Sequence, residues 1–189
     1  MIRIGILGAI GAGKSYVANN FGYPVFNADI EVSKLYNKNK KIFFKLNKKL
    51  PKYISKFPID KKEIINAIFS NKNNLNKIIN IVHLEVRSQM KLFLKKNKKK
   101  KIVILDIPLL LENKINRNND FLIFVQTKKS DVLKRLKKRK NYNKKLINKF
   151  RNIQLSLDYK RKKSDFIIKN NFTKKTVKKD INNVLKKIL

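Results

Sequence analysis

Gly8-Ala9-Ile10-Gly11-Ala12-Gly13-Lys14-Ser15 decides how this chain is read. It fits G-x-x-x-x-G-K-S/T, a loop that cradles phosphate. Triphosphate oxygens need many donors at short range, and side chains would stand in the way. Glycines at 8, 11 and 13 let bare backbone N–H groups converge on an anion. A helix beginning near Gly13 adds the positive end of its dipole. Lys14 then reaches the β- and γ-phosphates, and the Ser15 hydroxyl ligates Mg²⁺. Arg3 to Leu7 reads as a buried strand, and Val17 to Phe21 continues a helix. Strand, loop and helix are the context this chemistry requires.

Outward from the loop, the chain alternates strands with helices. Tyr23 to Asn27 reads as a second strand, with Pro24 at its start, where a missing N–H is tolerated. Asp29 follows that strand's C-terminal edge, the side where open α/β sheets bind ligands. A helix is expected from Ile30 to about Asn37. Residues 38–96 read as an all-helical insertion. Within it lie a helix from Ile42 to Phe57, a capping-box-like start at Asp60 and Glu63, and a long helix from Leu75 to Leu94. Lys95 to Lys101 is a charged surface linker. Ile102 to Asp106 is a continuous apolar run ending in a carboxylate, as buried parallel strands read. Asp106 falls where P-loop enzymes place a Mg²⁺-organising Asp. Phe121 to Val125 and Phe166 to Ile168 complete a five-strand set. Ser130 or Asp131 caps a helix through Lys138, Asn143 to Leu157 forms another, and Thr173 or Thr176 opens a C-terminal one. The fold class is α/β: a five-stranded parallel sheet with helices on both faces and a helical insertion.

The 189 residues suit one domain with an insertion, and 42% hydrophobic residues allow a substantial core. No run approaches the roughly 20 apolar residues of a membrane span. The chain enters a strand at once, so no signal peptide is expected. The lack of cysteine excludes disulfides and thiolate metal sites and fits a cytoplasmic location. The charge is extreme, with 48 basic and 12 acidic residues and a net +36. Only seven of the 48 are Arg, and Asn and Ile are abundant alongside Lys. All three have A/T-rich codons, so compositional drift accounts for them together. Nucleic acid is therefore not expected as a specific partner, although the field attracts polyanions in a salt-dependent way.

The ordered set of motifs resembles the dephospho-CoA kinase family. It comprises the P-loop, Asn27-Ala28-Asp29, a lone His83 in a helical insertion and D-x-P-L-L-x-E at Asp106 to Glu112. Lys134-Arg135 with Arg139, Q-x-S-x-x-x-K at Gln154 to Lys160, and I-x-x-N ending at Asn170 complete it. The resemblance runs from Ile4 to about Asn171. It implies transfer of the ATP γ-phosphoryl to the ribose 3′-hydroxyl of dephospho-CoA, the last step of coenzyme A synthesis. It implies a nucleotide-binding core (1–37, 98–136 and 161–189), a helical acceptor subdomain (38–97) and a lid (137–160). A cytoplasmic monomer with no membrane partner is expected.

The resemblance also distributes roles. Lys14, Asp29 and Arg139 are catalytic. Asp29 orients the acceptor hydroxyl and takes its proton, and Arg139 meets phosphoryl oxygens from the lid. Gly8, Gly11, Ala12, Gly13, Lys14, Ser15, Tyr16 and Asn171 bind ATP. Ser15 and Asp106 hold Mg²⁺. Asp29, His83 and Lys160 contact dephospho-CoA. Arg135 and Asn170 are weaker candidates, and Glu112 is structural or substrate-side. The chain departs from the family pattern at Asn27, Tyr16, Ser33 and Leu84, where Asp, Thr, a basic residue and Pro are usual. Asn27 removes a charge beside the proposed base. Two rival readings remain: a nucleoside or nucleotide kinase of the same architecture, and a basic nucleic-acid-binding protein with a P-loop. The first calls for several arginines in residues 38–96, which hold only Arg87. The second calls for aromatics interleaved with basic residues, but the Phe residues sit mostly at core spacing.

Overall fold

The computed structural model describes residues 1–139 and 142–189. The described residues form two compact units. One comprises Met1–Asn27 with Asn97–Leu189, and the other Ala28–Lys96.

The first unit is built on five strands: β1 (Ile2–Gly8), β2 (Val25–Asn27), β3 (Ile102–Asp106), β4 (Phe121–Gln126) and β5 (Phe166–Lys169). They pair in the order β2-β3-β1-β4-β5, every pairing parallel. Central β1 and β3 are almost wholly buried, which explains their unbroken apolar runs. Ile4, Ile6, Ile104, Ile123 and Ile168 pack with Val17 and Ala18 of α1 (Lys14–Asn20) and with Val177, Ile181 and Val184 of α9 (Lys174–Ile188). Burying each large branched side chain contributes about 2 kcal/mol. The first unit also holds α6 (Lys129–Lys137), α7 (Lys144–Asn152) and α8 (Leu157–Lys162).

At the sheet's other end Arg3 meets Asp120 at 2.8 Å, both side chains nearly inaccessible. Burial lowers the Arg3 guanidinium and raises the Asp120 carboxyl despite their mutual attraction. Desolvation outweighs the pairing, as is common for buried ions.

The second unit holds α2 (Ala28–Lys38), α3 (Lys40–Lys49), α4 (Lys61–Ser70) and α5 (Lys72–Lys96). Ile78, Val82, Val86 and Met90 recur every four residues on α5 and are buried. Leu35 and Tyr36 of α2, Ile42 and Leu46 of α3, and Ile64 and Ile68 of α4 supply further buried apolar groups.

Several boundaries differ from expectation. The unit boundary falls at Asn27/Ala28 rather than 37/38, because α2 packs on α3 and α5. The helix expected through Phe57 stops at Lys49; Pro51 disfavours helical backbone at Leu50. Asp60 does cap α4, accepting from the Lys62 N–H at 2.9 Å. Glu63 does not close the box but accepts from the Ser55 hydroxyl at 2.9 Å. Ser130 and Asp131 lie inside the first turn of α6, which starts after Lys128. The stretch Asn143 to Leu157 is two helices, because Ser156 caps a new one by accepting from the Tyr159 N–H. The expected lid, 137–160, includes residues 140 and 141, which lie outside those described. Its flanks, including all of α7, belong to the sheet's unit.

Candidate active site

The loop between β1 and α1 stands at the C-terminal end of the central strand. Gly8, Gly11 and Gly13 all take positive φ. At Gly13, with φ 86°, an added Cβ would collide with the Asn170 amide. Two side chains brace the loop from outside. Thr127 Oγ1 donates to the Ala12 carbonyl at 3.0 Å and Asn170 Nδ2 donates to the same oxygen at 2.8 Å. Lys14 folds back over the loop, its Nζ donating to the carbonyls of Gly8 at 3.2 Å and Ala9 at 3.0 Å. Ala12 is buried, and Tyr16 packs against the core.

Ser15, Asn27 and Asp106 meet because α1, β2 and β3 are neighbours. Asn27 and Asp106 are register partners across β2 and β3. Ser15 Oγ donates to Asp106 Oδ2 at 2.5 Å, and Asn27 Nδ2 donates to the same oxygen at 2.6 Å. The amide also lies 3.3 Å from Ser15 Oγ. A hydroxyl and a carboxylate converging beside a phosphate loop suit Mg²⁺, which takes one or two protein oxygens with phosphate and water. The glycine cradle suits a nucleotide tail. Both groups therefore fit the residues present.

Asp29 is exposed in the first turn of α2, and His83 is partly buried on α5; both lie in the helical unit. Arg139 is exposed just beyond α6. Arg135 stacks on Phe172 at 3.9 Å. Asn171, expected on the nucleotide, accepts from the Thr173 N–H and hydroxyl ahead of α9. Its neighbour Asn170 is the residue that reaches the loop. Asn170 was among the weaker candidates; sequence reasoning missed Thr127, since a lone Thr after a strand carries no signal of its own.

Lys160 departs most from expectation. Predicted as a substrate contact, its side chain is 1% exposed and its ammonium lies 2.8 Å from Glu112. The same Glu112 oxygen accepts from the Leu155 N–H at 2.9 Å. Glu112 thus ties the loop after β3 to the last turn of α8 and to the residues just before it. Removing one member leaves the other charge buried. Lys160→Met alone is expected to cost about 3 kcal/mol, and Glu112→Leu with Lys160→Met markedly less. Urea unfolding of the three proteins would check this; equal losses would contradict it.

A strand-loop-helix phosphate cradle beside a Ser–Asp cluster, on this parallel sheet, defines a P-loop kinase. The family model for dephospho-CoA kinase matches residues 2–176, and the chain belongs to that family. Its activity is ATP-dependent phosphorylation of dephospho-CoA to coenzyme A. The dephospho-CoA kinase of Wolbachia pipientis wMel is 34% identical over 96% of this chain and 95% of its own. The crystal structure of TT1252 from Thermus thermophilus aligns with TM-score 0.77 and 25% identity, covering 100% of this chain and 98% of that one. The dephospho-CoA kinase from Campylobacter jejuni shares the fold, with TM-score 0.64, 24% identity and coverage of 98% and 96%. Neither rival reading is favoured by these findings.

Proposed function

We propose that the chain moves the γ-phosphoryl of ATP directly to the ribose 3′-hydroxyl of dephospho-CoA, with no phosphorylated enzyme intermediate. The observation that carries this is the Ser15–Asp106 pair beside the Lys14-covered loop. Backbone N–H groups from Gly8 to Tyr16 bind the phosphates, and Lys14 turns from its carbonyl partners to the β- and γ-oxygens. Ser15 and Asp106 would hold Mg²⁺, which would neutralise phosphate charge. Asn27 orients Asp106 through its amide. Asp29 positions the acceptor hydroxyl and removes its proton. Arg139 offers a planar fork to equatorial phosphoryl oxygens, from a lid that excludes water.

On the acceptor side His83 contacts dephospho-CoA. Lys160 fixes the placement of α8, since Glu112 engages its ammonium. Asn171 flanks the adenine side. The enzyme works in the cytoplasm as a monomer; no helix among the described residues is long and apolar enough to cross a membrane.

Labelled ATP offered with a panel of acceptors tests the proposal. Label should reach dephospho-CoA, and EDTA should abolish transfer. Comparable transfer to nucleoside monophosphates, or ATP loss indifferent to acceptor, would refute it.

A further inference from the structure

We infer that Arg161 contacts the terminal phosphate of bound ATP, with Asp158 as its opposing carboxylate. This rests on the loop being the ATP site. A cavity of about 160 Å³ opens against that loop, walled by Ala9, Ala12, Gln126, Thr127, Asp158 and Arg161 among others. Lys14 marks which end of the loop this is. Its ammonium, the group that reaches β- and γ-phosphates, rests on the Ala9 carbonyl. The cavity shares Ala9, so Arg161 stands at the terminal-phosphate end.

The rotation of α8 accounts for this. Its last turn holds Lys160, Arg161 and Lys162. Lys160 is drawn inward to Glu112, which fixes the helix about its axis. Residues three apart share a helix face, so Asp158 and Arg161 flank the cavity together. Lys162 is exposed and not part of that wall. Among the described residues no ion pair or hydrogen bond engages the Arg161 guanidinium. A guanidinium binds phosphate through two parallel N–H bonds, which a lysine cannot reproduce. Asp158 would repel the same phosphate. The two residues therefore act with opposite signs on ATP.

Calorimetric titration of ATP and ADP into the full chain, without acceptor, tests this apart from turnover. Arg161→Met is expected to raise the ATP Kd about tenfold while changing the ADP Kd far less, the scale of a lost charge-assisted hydrogen bond. Arg161→Lys should recover part of the loss. Asp158→Asn should lower the ATP Kd by roughly twofold, the scale of an exposed charge. Lys162→Met should change neither constant, which excludes a loss of general positive field. An unaltered ATP-to-ADP ratio in Arg161→Met, or weaker ATP binding in Asp158→Asn, overturns the assignment alone. A wild-type chain that binds neither nucleotide overturns the parent reading with it.

Discussion

Asp29→Asn is expected to leave ATP affinity intact and to lower turnover with dephospho-CoA by at least roughly 10²-fold, the scale of general-base loss. A ribose hydroxyl is a weak nucleophile at neutral pH, and an amide can orient it but cannot take its proton. Asp29 has the exposure this task needs. Its competing role is structural, since it sits with Glu31 in the first turn of α2 near the positive helix end. That role predicts a different result: a loss of about 0.5 kcal/mol in stability and little change in turnover. Steady-state kinetics beside a thermal melt separates the two. Near-normal kcat in Asp29→Asn would remove the residue from the mechanism.

Gly13→Ala should be as damaging by another route. The backbone there has φ 86°, which costs an L side chain about 1–2 kcal/mol. The new methyl also meets the Asn170 amide, which must leave the Ala12 carbonyl to make room. The loop would lose a brace and its curvature together. Nucleotide affinity is expected to fall at least about 10²-fold, the effect of roughly 3 kcal/mol. Combining it with Asn170→Ala removes the worst collision but neither the close approach to Phe172 Cε1 at 3.0 Å nor the φ penalty, so affinity should return only in part. Full recovery would show that the left-handed backbone is unimportant to phosphate binding. No recovery would show that the collision is.

The two residues illustrate how unevenly the site can be read from the chain. The loop was legible because its chemistry is local: glycine positions, Lys14 and Ser15 lie within eight residues, and the flanking periodicity places them between strand and helix. Asp106 was legible as a strand-end carboxylate because the apolar run before it marks a buried parallel strand. Asn170 and Asn171 were not separable, since adjacent residues offer the same group. Backbone direction after β5 sends one to Ala12 and the other to Thr173. Lys160 is assigned to the substrate by its place in the Q-x-S-x-x-x-K motif, which carries no information about burial. Its burial depends on Glu112, 48 residues away, and no local pattern encodes that encounter.

By itself, then, the sequence determined the parallel α/β class, the phosphate loop and the family. Hydrophobic period, glycine placement and motif order act over short ranges or survive in linear order. Only the tertiary structure decided that α2 packs with the helical insertion, that Asn27 and Ser15 meet on one oxygen of Asp106, and that Glu112 holds Lys160. Those depend on which side chains from distant stretches come within contact once the sheet and the helices pack, which no local pattern encodes.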